Sequence, residues 1–294
     1  MLRNDKKSIT TFMLPASILL LVFMVLPFLM AFGLSFTNQR LIESPRGTQF
    51  VGLTNYVRAL GDNLFRTGLT NNAIFVLVVV PLQTALALAL AILVNIKVKG
   101  NKFFRVIYFI PTVTTMVVVS VIWSFLYHPD GLINGFLTSI TFGAWDGIDF
   151  LNNTTTAFPS IMLMSMWQGV GFQMLIFLAA LQEIPDSFYE AADIDGANTW
   201  QQFLYITLPQ LKNTTTFVII STTILAFRLF TQVYVMTNGG PQNSTYTAML
   251  HIYNMAFKRL NIGYSSALTV IFFLIILVIS IIQRIALNDT EEEV

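Results

Sequence analysis

Residues 190–209 read EAADIDGANTWQQFLYITLP, a polar, glycine-broken passage between two long apolar runs. Just upstream, Pro185, Asp186 and Ser187 read as a helix start with a capping side chain. SFYEAADI continues as good helix sequence. Gly196 supplies the stop, because a residue without a Cβ accepts a left-handed turn without steric cost. ANTWQQFLYITLP then restarts a helix toward Pro209. The passage is therefore helix, glycine break, helix: a short rod parallel to the membrane that presents Glu190 and Asp193 to water. From the residues alone two readings stand, a rod gripped by a partner and an ordinary solvated loop helix.

The runs on either side set the fold class. The chain has 294 residues, of which 55% are hydrophobic and 11% charged, whereas a soluble domain carries about 25% charged residues. Six apolar runs stand out, at approximately 12–36, 73–95, 106–127, 158–181, 214–236 and 265–285. Each approaches or exceeds the roughly 20 residues that cross a bilayer as a helix. Backbone groups cannot go unpaired in hydrocarbon, so the expectation is an all-α integral membrane protein with six transmembrane helices. Barrel strands would show alternating segments of about 10 residues instead. The first run is too long for a cleaved signal peptide, and no small-residue cleavage site follows MAFGLSF. Residues 1–294 read as a single transmembrane domain, with 182–213 as its largest inner loop. The tail DTEEEV reads as disordered.

Charge sets the orientation. With the N-terminus inside, the inner segments hold Arg3, Lys6, Lys7, Lys97, Lys99, Lys102, Arg105, Lys212 and Arg284. The outer segments hold Arg40, Arg46, Arg58, Arg66, Lys258 and Arg259. The loop KVKGNKFFR between runs two and three is densely basic, and the loop 128–157 carries Asp130, Asp146 and Asp149 without Lys or Arg. Both termini are then cytoplasmic. Outside, residues from Val51 onward read as one amphipathic surface helix through Leu53, Tyr56, Leu60, Leu64 and Phe65. Gly239, Gly240 and Pro241 form a strong turn after run five, and a helical pattern resumes in TYTAMLHIYNMAFK.

No run contains an acidic residue or a histidine, the usual parts of a proton-coupled carrier. No GK pair occurs, so no phosphate-cradling Walker A loop is present. Neither His128 nor His251 belongs to an HExxH-type pattern, and there is no cysteine. A net charge of +1 points to no nucleic acid. The chain reads as no enzyme and no motor, so uphill transport needs energy from another subunit. The competing class is a stand-alone secondary carrier or channel for small polar solutes.

Glu190, Ala191 and Ala192, then Gly196, then Ile206, Leu208 and Pro209 fall at the spacing of the EAA motif and resemble the cytoplasmic loop of ABC importer permeases. FVGLTNY at 50–56 and TNGGP at 237–241 resemble the sugar-importing permeases of the MalF type, and the likeness covers nearly the whole chain. The maltose member has extra N-terminal spans and a large outer domain; this chain resembles the shorter six-span form. The resemblance implies an ABC type I importer permease fold in a bacterial cytoplasmic membrane, working by alternating access. It implies a second homologous permease, a dimer of ATPase subunits that holds ATP and Mg, and an extracytoplasmic solute-binding protein as partners. No cofactor is implied in this chain. Glu190, with Asp193, would pair with a basic group on the ATPase, and Gly196 would permit the bend. The turn at Gly239, Gly240 and Pro241 would meet the binding protein. The solutes implied are oligosaccharides, glycosylated polyols or glycerol phosphates.

Sugars are held by aromatic faces and by side chains bonding hydroxyls. SMWQGVGFQ (165–173) offers Ser165, Trp167, Gln168, Phe172 and Gln173, with Gly169 and Gly171 allowing close approach. The alternative for these residues is helix packing or interface anchoring. Arg228 in FRLFTQVY (227–234) is the only charge deep in any run, and it reads as a substrate ligand or as an ion pair with the second permease. Phe230, Gln232 and Tyr234 are weaker candidates. The maltose importer's asparagines are not reproduced in this run, where Ala226 and Leu229 stand nearby.

Overall fold

The computed structural model describes residues 12–42, 47–96 and 100–288. Arg3, Lys6, Lys7, Arg46, Lys97 and Lys99 of the charge argument, and the tail 289–294, lie outside the described residues. The helices are α1 (Phe12–Leu34), α2 (Thr54–Leu60), α3 (Asn63–Asn95), α4 (Asn101–Val113), α5 (Met116–Leu126), α6 (Leu132–Ile140), α7 (Ala157–Glu183), α8 (Asp186–Ile194), α9 (Thr199–Gln202), α10 (Lys212–Phe227), α11 (Thr231–Met236), α12 (Ala248–Tyr253) and α13 (Ile262–Asn288). Among the described residues there are two isolated bridges and no strand. Helices dominate because each satisfies its own backbone where no water can.

Among the described residues five segments are long and apolar enough to cross a membrane, and the pair Phe103–Val113 and Met116–Leu126 makes a sixth if counted as one span. That pair bends by 99°, so the single straight helix expected at 106–127 is two. Pro111 removes a backbone donor from the last turn of α4. Thr114 and Thr115 then adopt extended ψ angles of 138° and 139°.

The chain divides into two compact units, Met1–Arg66 with His251–Ile275, and Thr67–Leu250 with Ile276–Val294. In the second, Ala87, Ala91 and Val94 of α3 pack with Met174, Phe177, Leu178 and Leu181 of α7, and with Leu211 and Val218. Alanines one turn apart let the two helices close up. The α4 helix packs across α7 at Gly171, where a Cβ would run into the backbone carbonyl of Tyr108. The α5 helix packs on α11.

In the first unit the surface helix expected from Val51 to Phe65 is two pieces. Asp62 Oδ1 accepts from the backbone N–H of Leu64 at 3.0 Å and of Phe65 at 3.1 Å. That carboxylate caps a new helix, so α3 starts ten residues earlier than the hydropathy run at 73. The buried face of α2 carries Asn55 and Ala59, while Leu53 and Leu60 are exposed. Asn55 donates to the carbonyls of Ser35 and Thr37 at 2.9 and 2.8 Å.

Asp62 Oδ2 also accepts from Tyr264 Oη at 2.8 Å and from His251 Nε2 at 3.1 Å. The guanidinium of Arg58 lies 4.1 Å from the centre of the Tyr264 ring. Burial holds the His251 pKa below its ordinary value; Asp62 opposes this, and Arg259 and Arg58 add to it. Burial raises the Asp62 carboxyl, but the bonds from Tyr264 and Phe65 and the facing His251 bring it below its ordinary value. Both groups thus contribute stability that is present above their unfolded pKa values and lost as pH falls. The first loss begins below about 6.5 with His251, and the second below about 3.9 with Asp62. Hydrogen exchange at the Leu64 and Phe65 amides, corrected for intrinsic rates, should lose protection between neutral and mildly acid pH. In His251→Gln the loss near the histidine pKa should vanish; an unchanged profile in that variant would contradict the account.

Candidate functional site

The second unit holds a partly open cavity of about 470 Å³, within the roughly 300–1,000 Å³ usual for ligand sites. One face of α7 supplies Ser165, Gln168, Gly169, Phe172, Gln173 and Ile176, spaced by three, one, three, one and three residues as a helical stripe demands. The α3 helix supplies Phe75, Val79 and Gln83; the bend between α4 and α5 supplies Thr112 and Met116. The α10 helix adds Phe217, Ser221, Thr222 and Leu225. At its end the span breaks: α10 stops at Phe227 and α11 resumes at Thr231, with Phe230 at φ −142° and ψ −60°. Arg228, in that break, lines the cavity together with Gln232.

The polar groups are partly spent on one another. Gln173 Nε2 donates to Thr222 Oγ1 at 2.5 Å, while its buried Oε1 has no partner among the described residues. Gln232 Nε2 donates to Ser165 Oγ at 3.2 Å, and Ser165 Oγ donates to the Ile161 carbonyl at 2.7 Å. Thr112 Oγ1 donates to the Gln168 carbonyl at 3.0 Å. A Cβ on Gly169 would stand 2.6 Å from Gln83 Nε2, so the glycine makes room for that amide. Arg228 forms no ion pair with any described residue. Amides, hydroxyls and one guanidinium, with no carboxylate or imidazole among the described lining residues, suit a hydroxyl-rich solute.

Seven of the nine pocket candidates from sequence thus meet at one cavity: Ser165, Gln168, Gly169, Phe172, Gln173, Arg228 and Gln232. Trp167 does not, and its ring lies 5.4 Å from that of Trp123. Phe230 does not either; it stacks on Tyr234 at 5.4 Å. Gln83 and Thr222 are lining residues that the sequence reading passed over. Their signal was a polar side chain within the apolar stretches VVVPLQTALAL and FVIISTTILAF.

At residues 182–213 the helix–glycine–helix form is present. Pro185 is the N-cap of α8 and makes no side-chain cap bond of its own, and Asp186 stands in the first turn. Gly196 has φ +77° with open space where a Cβ would be, so backbone conformation alone selects glycine. Asn198 and Gln201 form a reciprocal capping box that starts α9. A π turn at Phe203–Thr207 and a short helix at Leu208–Gln210 follow, leading through Pro209, which has no N–H to donate. Asp193 Oδ1 accepts from Gln202 Nε2 at 2.5 Å and holds the two arms together. Ile206 and Tyr189 pack against the α3–α7 core, and Tyr189 Oη lies 3.0 Å from Thr207 Oγ1. Glu190 and Ala191 are exposed, Ala192 and Leu208 half-buried. Glu190 has no hydrogen-bond or ionic partner among the described residues. In the same segment Ile194 is 87% exposed, Trp200 65% and Tyr205 77%. Exposed large apolar side chains in one segment with an exposed carboxylate, on a loop outside the spans, have the character of an interface.

In the outer turn, Asn238, Gly239, Gln242 and Asn243 all have positive φ, and the Gly240–Pro241 peptide is cis. Gly239 is buried against Tyr246 and Leu250, while Gly240 and Pro241 are half-buried. Gln242 and Asn243 form the exposed tip.

Comparison with known proteins gives a consistent picture. The model of the family described as "Binding-protein-dependent transport system inner membrane component" matches residues 83–289. The lactose transport system permease protein LacF of Rhizobium radiobacter is 35% identical over 284 residues, covering 95% of this chain and 93% of the relative. The arabinooligosaccharides transport system permease protein AraP of Bacillus subtilis is 35% identical over 281 residues, covering 92% and 86%. A chain in the crystal structure of a bacterial alginate ABC transporter, in complex with an alginate pentasaccharide-bound periplasmic protein, superposes with a TM-score of 0.83 at 20% identity, covering 98% of this chain and 96% of that one.

Proposed function

Because the chain belongs to the family of binding-protein-dependent transport system inner membrane components, we propose that it carries sugars or sugar-like solutes through the α3–α7–α10 cavity. It is a permease subunit of an ABC importer, multi-pass in the inner membrane, and its energy comes from a separate ATPase. It works with a second permease and an extracytoplasmic binding protein. ATP and Mg are held by the ATPase. Oligosaccharides lead the candidate solutes, since LacF and AraP are named for lactose and arabino-oligosaccharides; glycosylated polyols and glycerol phosphates share the same chemistry.

The observation that carries the proposal is the cavity lining. Gln83, Gln173, Thr222 and Arg228, with further amides and hydroxyls, present hydrogen-bonding groups beside apolar side chains such as Phe75, Val79 and Leu225, which is how a site holds a hydroxylated solute without trapping it. The 186–210 segment is proposed as the docking rod. Glu190 and Asp193 face the ATPase, Ala191 and Ala192 let it approach, Gly196 sets the angle, and Ile206, Leu208 and Pro209 anchor the rod to the spans. The outer turn at Gly239, Gly240 and Pro241 is proposed to meet the binding protein through its Gln242–Asn243 tip.

The test is reconstitution in vesicles of the full complex beside the lone chain. Uptake of an oligosaccharide that needs both ATP and the binding protein is expected. Uptake by the lone chain driven by a proton gradient would overturn the proposal.

A further inference from the structure

We propose that Asn72 is a positioning residue that ties the outer turn to the Arg228 break, so that docking of a loaded binding protein is felt at the cavity; this rests on the importer role above. Asn72 is fully buried in α3. Its Nδ2 donates to the carbonyl of Phe227 at 2.8 Å, and its Oδ1 accepts from the backbone N–H of Ala248 at 2.9 Å. Phe227 is the last residue of α10 and Ala248 the first of α12. A helix leaves its last carbonyls and its first N–H groups without partners of its own. One amide side chain therefore serves the two ends of the excursion 228–247, which contains both Arg228 and the outer turn.

The neighbouring residues of α3 strengthen the clip. Asn71 Nδ2 donates to the carbonyls of Asn243 at 3.2 Å and Tyr246 at 2.8 Å. A Cβ on Gly68 would stand 2.6 Å from the Ala248 nitrogen, so the backbone of α12 rests directly on α3 there. Residues 68, 71 and 72 share a helix face. Continued along the helix, that face carries Phe75, Val79 and Gln83, which line the cavity. A shift of the turn at 237–247 thus pulls on the same amide that holds the carbonyl next to Arg228. An apolar side chain of equal size would fill the space but hold neither end.

The test uses the assembled complex in lipid nanodiscs, with ATP hydrolysis measured with and without solute-loaded binding protein. Asn72→Ala loses both bonds; Asn72→Asp keeps an acceptor for Ala248 and loses the donor to Phe227. Both should keep wild-type basal hydrolysis, while stimulation by the binding protein falls about 5-fold or more, the lower end of ordinary coupling between sites. Wild-type stimulation in both variants would overturn the proposal, and so would basal and stimulated rates falling in equal proportion, the mark of a merely structural role. If the Asn72 variants do not assemble, Asn71→Ala decides: it keeps the buried clip and should lose part of the stimulation, and full stimulation counts against the proposal. A wild-type complex unmoved by its binding protein would remove the importer role itself, and the clip with it.

Discussion

Replacing Glu190 with lysine is expected to leave the chain folded and assembled in the membrane but to lower ATP-driven uptake by about 100-fold or more, since an opposed like charge at an interface costs several kcal/mol and each 1.4 kcal/mol is tenfold. The fold should not notice. Glu190 is exposed and has no partner among the described residues, whereas the neighbouring Asp193 is already engaged by Gln202. The carboxylate is thus available for a group on another subunit. Hydrolysis by the ATPase should lose its response to the binding protein in the same variant. Asp193→Asn, which keeps an acceptor for Gln202, should reduce uptake far less. Uptake in Glu190→Lys within a fewfold of wild type would remove the docking role from this residue.

Replacing Arg228 with alanine is expected to lower the kcat/KM of uptake by about 10- to 100-fold while binding-protein-stimulated hydrolysis persists, because hydrogen bonds to a charged group contribute about 1.5–3 kcal/mol. Arg228 sits where a span is interrupted and lines the cavity without an ionic partner among the described residues. A charge within a span is retained only where it has a cavity, water or a ligand to face. Trp167→Ala and Phe230→Ala are the informative contrasts. Their rings lie against Trp123 and Tyr234 and not in the cavity lining, so uptake should change little. Equal losses in all three variants would point to general helix packing instead of solute contact.

What could be read from the sequence follows from how local each signal is. Hydropathy finds the spans because crossing a bilayer is a property of composition over about 20 residues. It does not find the 99° bend at Thr114–Thr115, because those residues interrupt the run by their backbone angles and not by their polarity. It places the start of α3 at 73 because Asn63–Asn72 is polar; the start is set by the Asp62 cap. The stop at Gly196 was legible because a single φ angle demands a glycine there. The lining face of α7 was legible because its polar residues recur at helical spacing within one short stretch. Gln83 and Thr222 were not, because they enter the same cavity from α3 and α10, and only the packing of three helices brings them together. Trp167 stands outside that lining: an indole suits a sugar face, but the helical phase sets its ring against Trp123.

The central claim is that this chain is a gate moved from its cytoplasmic rod by a separate ATPase. The chain contains no cysteine, so one introduced thiol reports on one place. Ile194→Cys is suited to this, being 87% exposed at the end of α8 and outside the cavity. In the active, reconstituted complex a short bifunctional reagent should link position 194 to the ATPase subunit, and the linked complex should stop transporting. A complex that transports at full rate while position 194 links to no ATPase subunit would contradict the account.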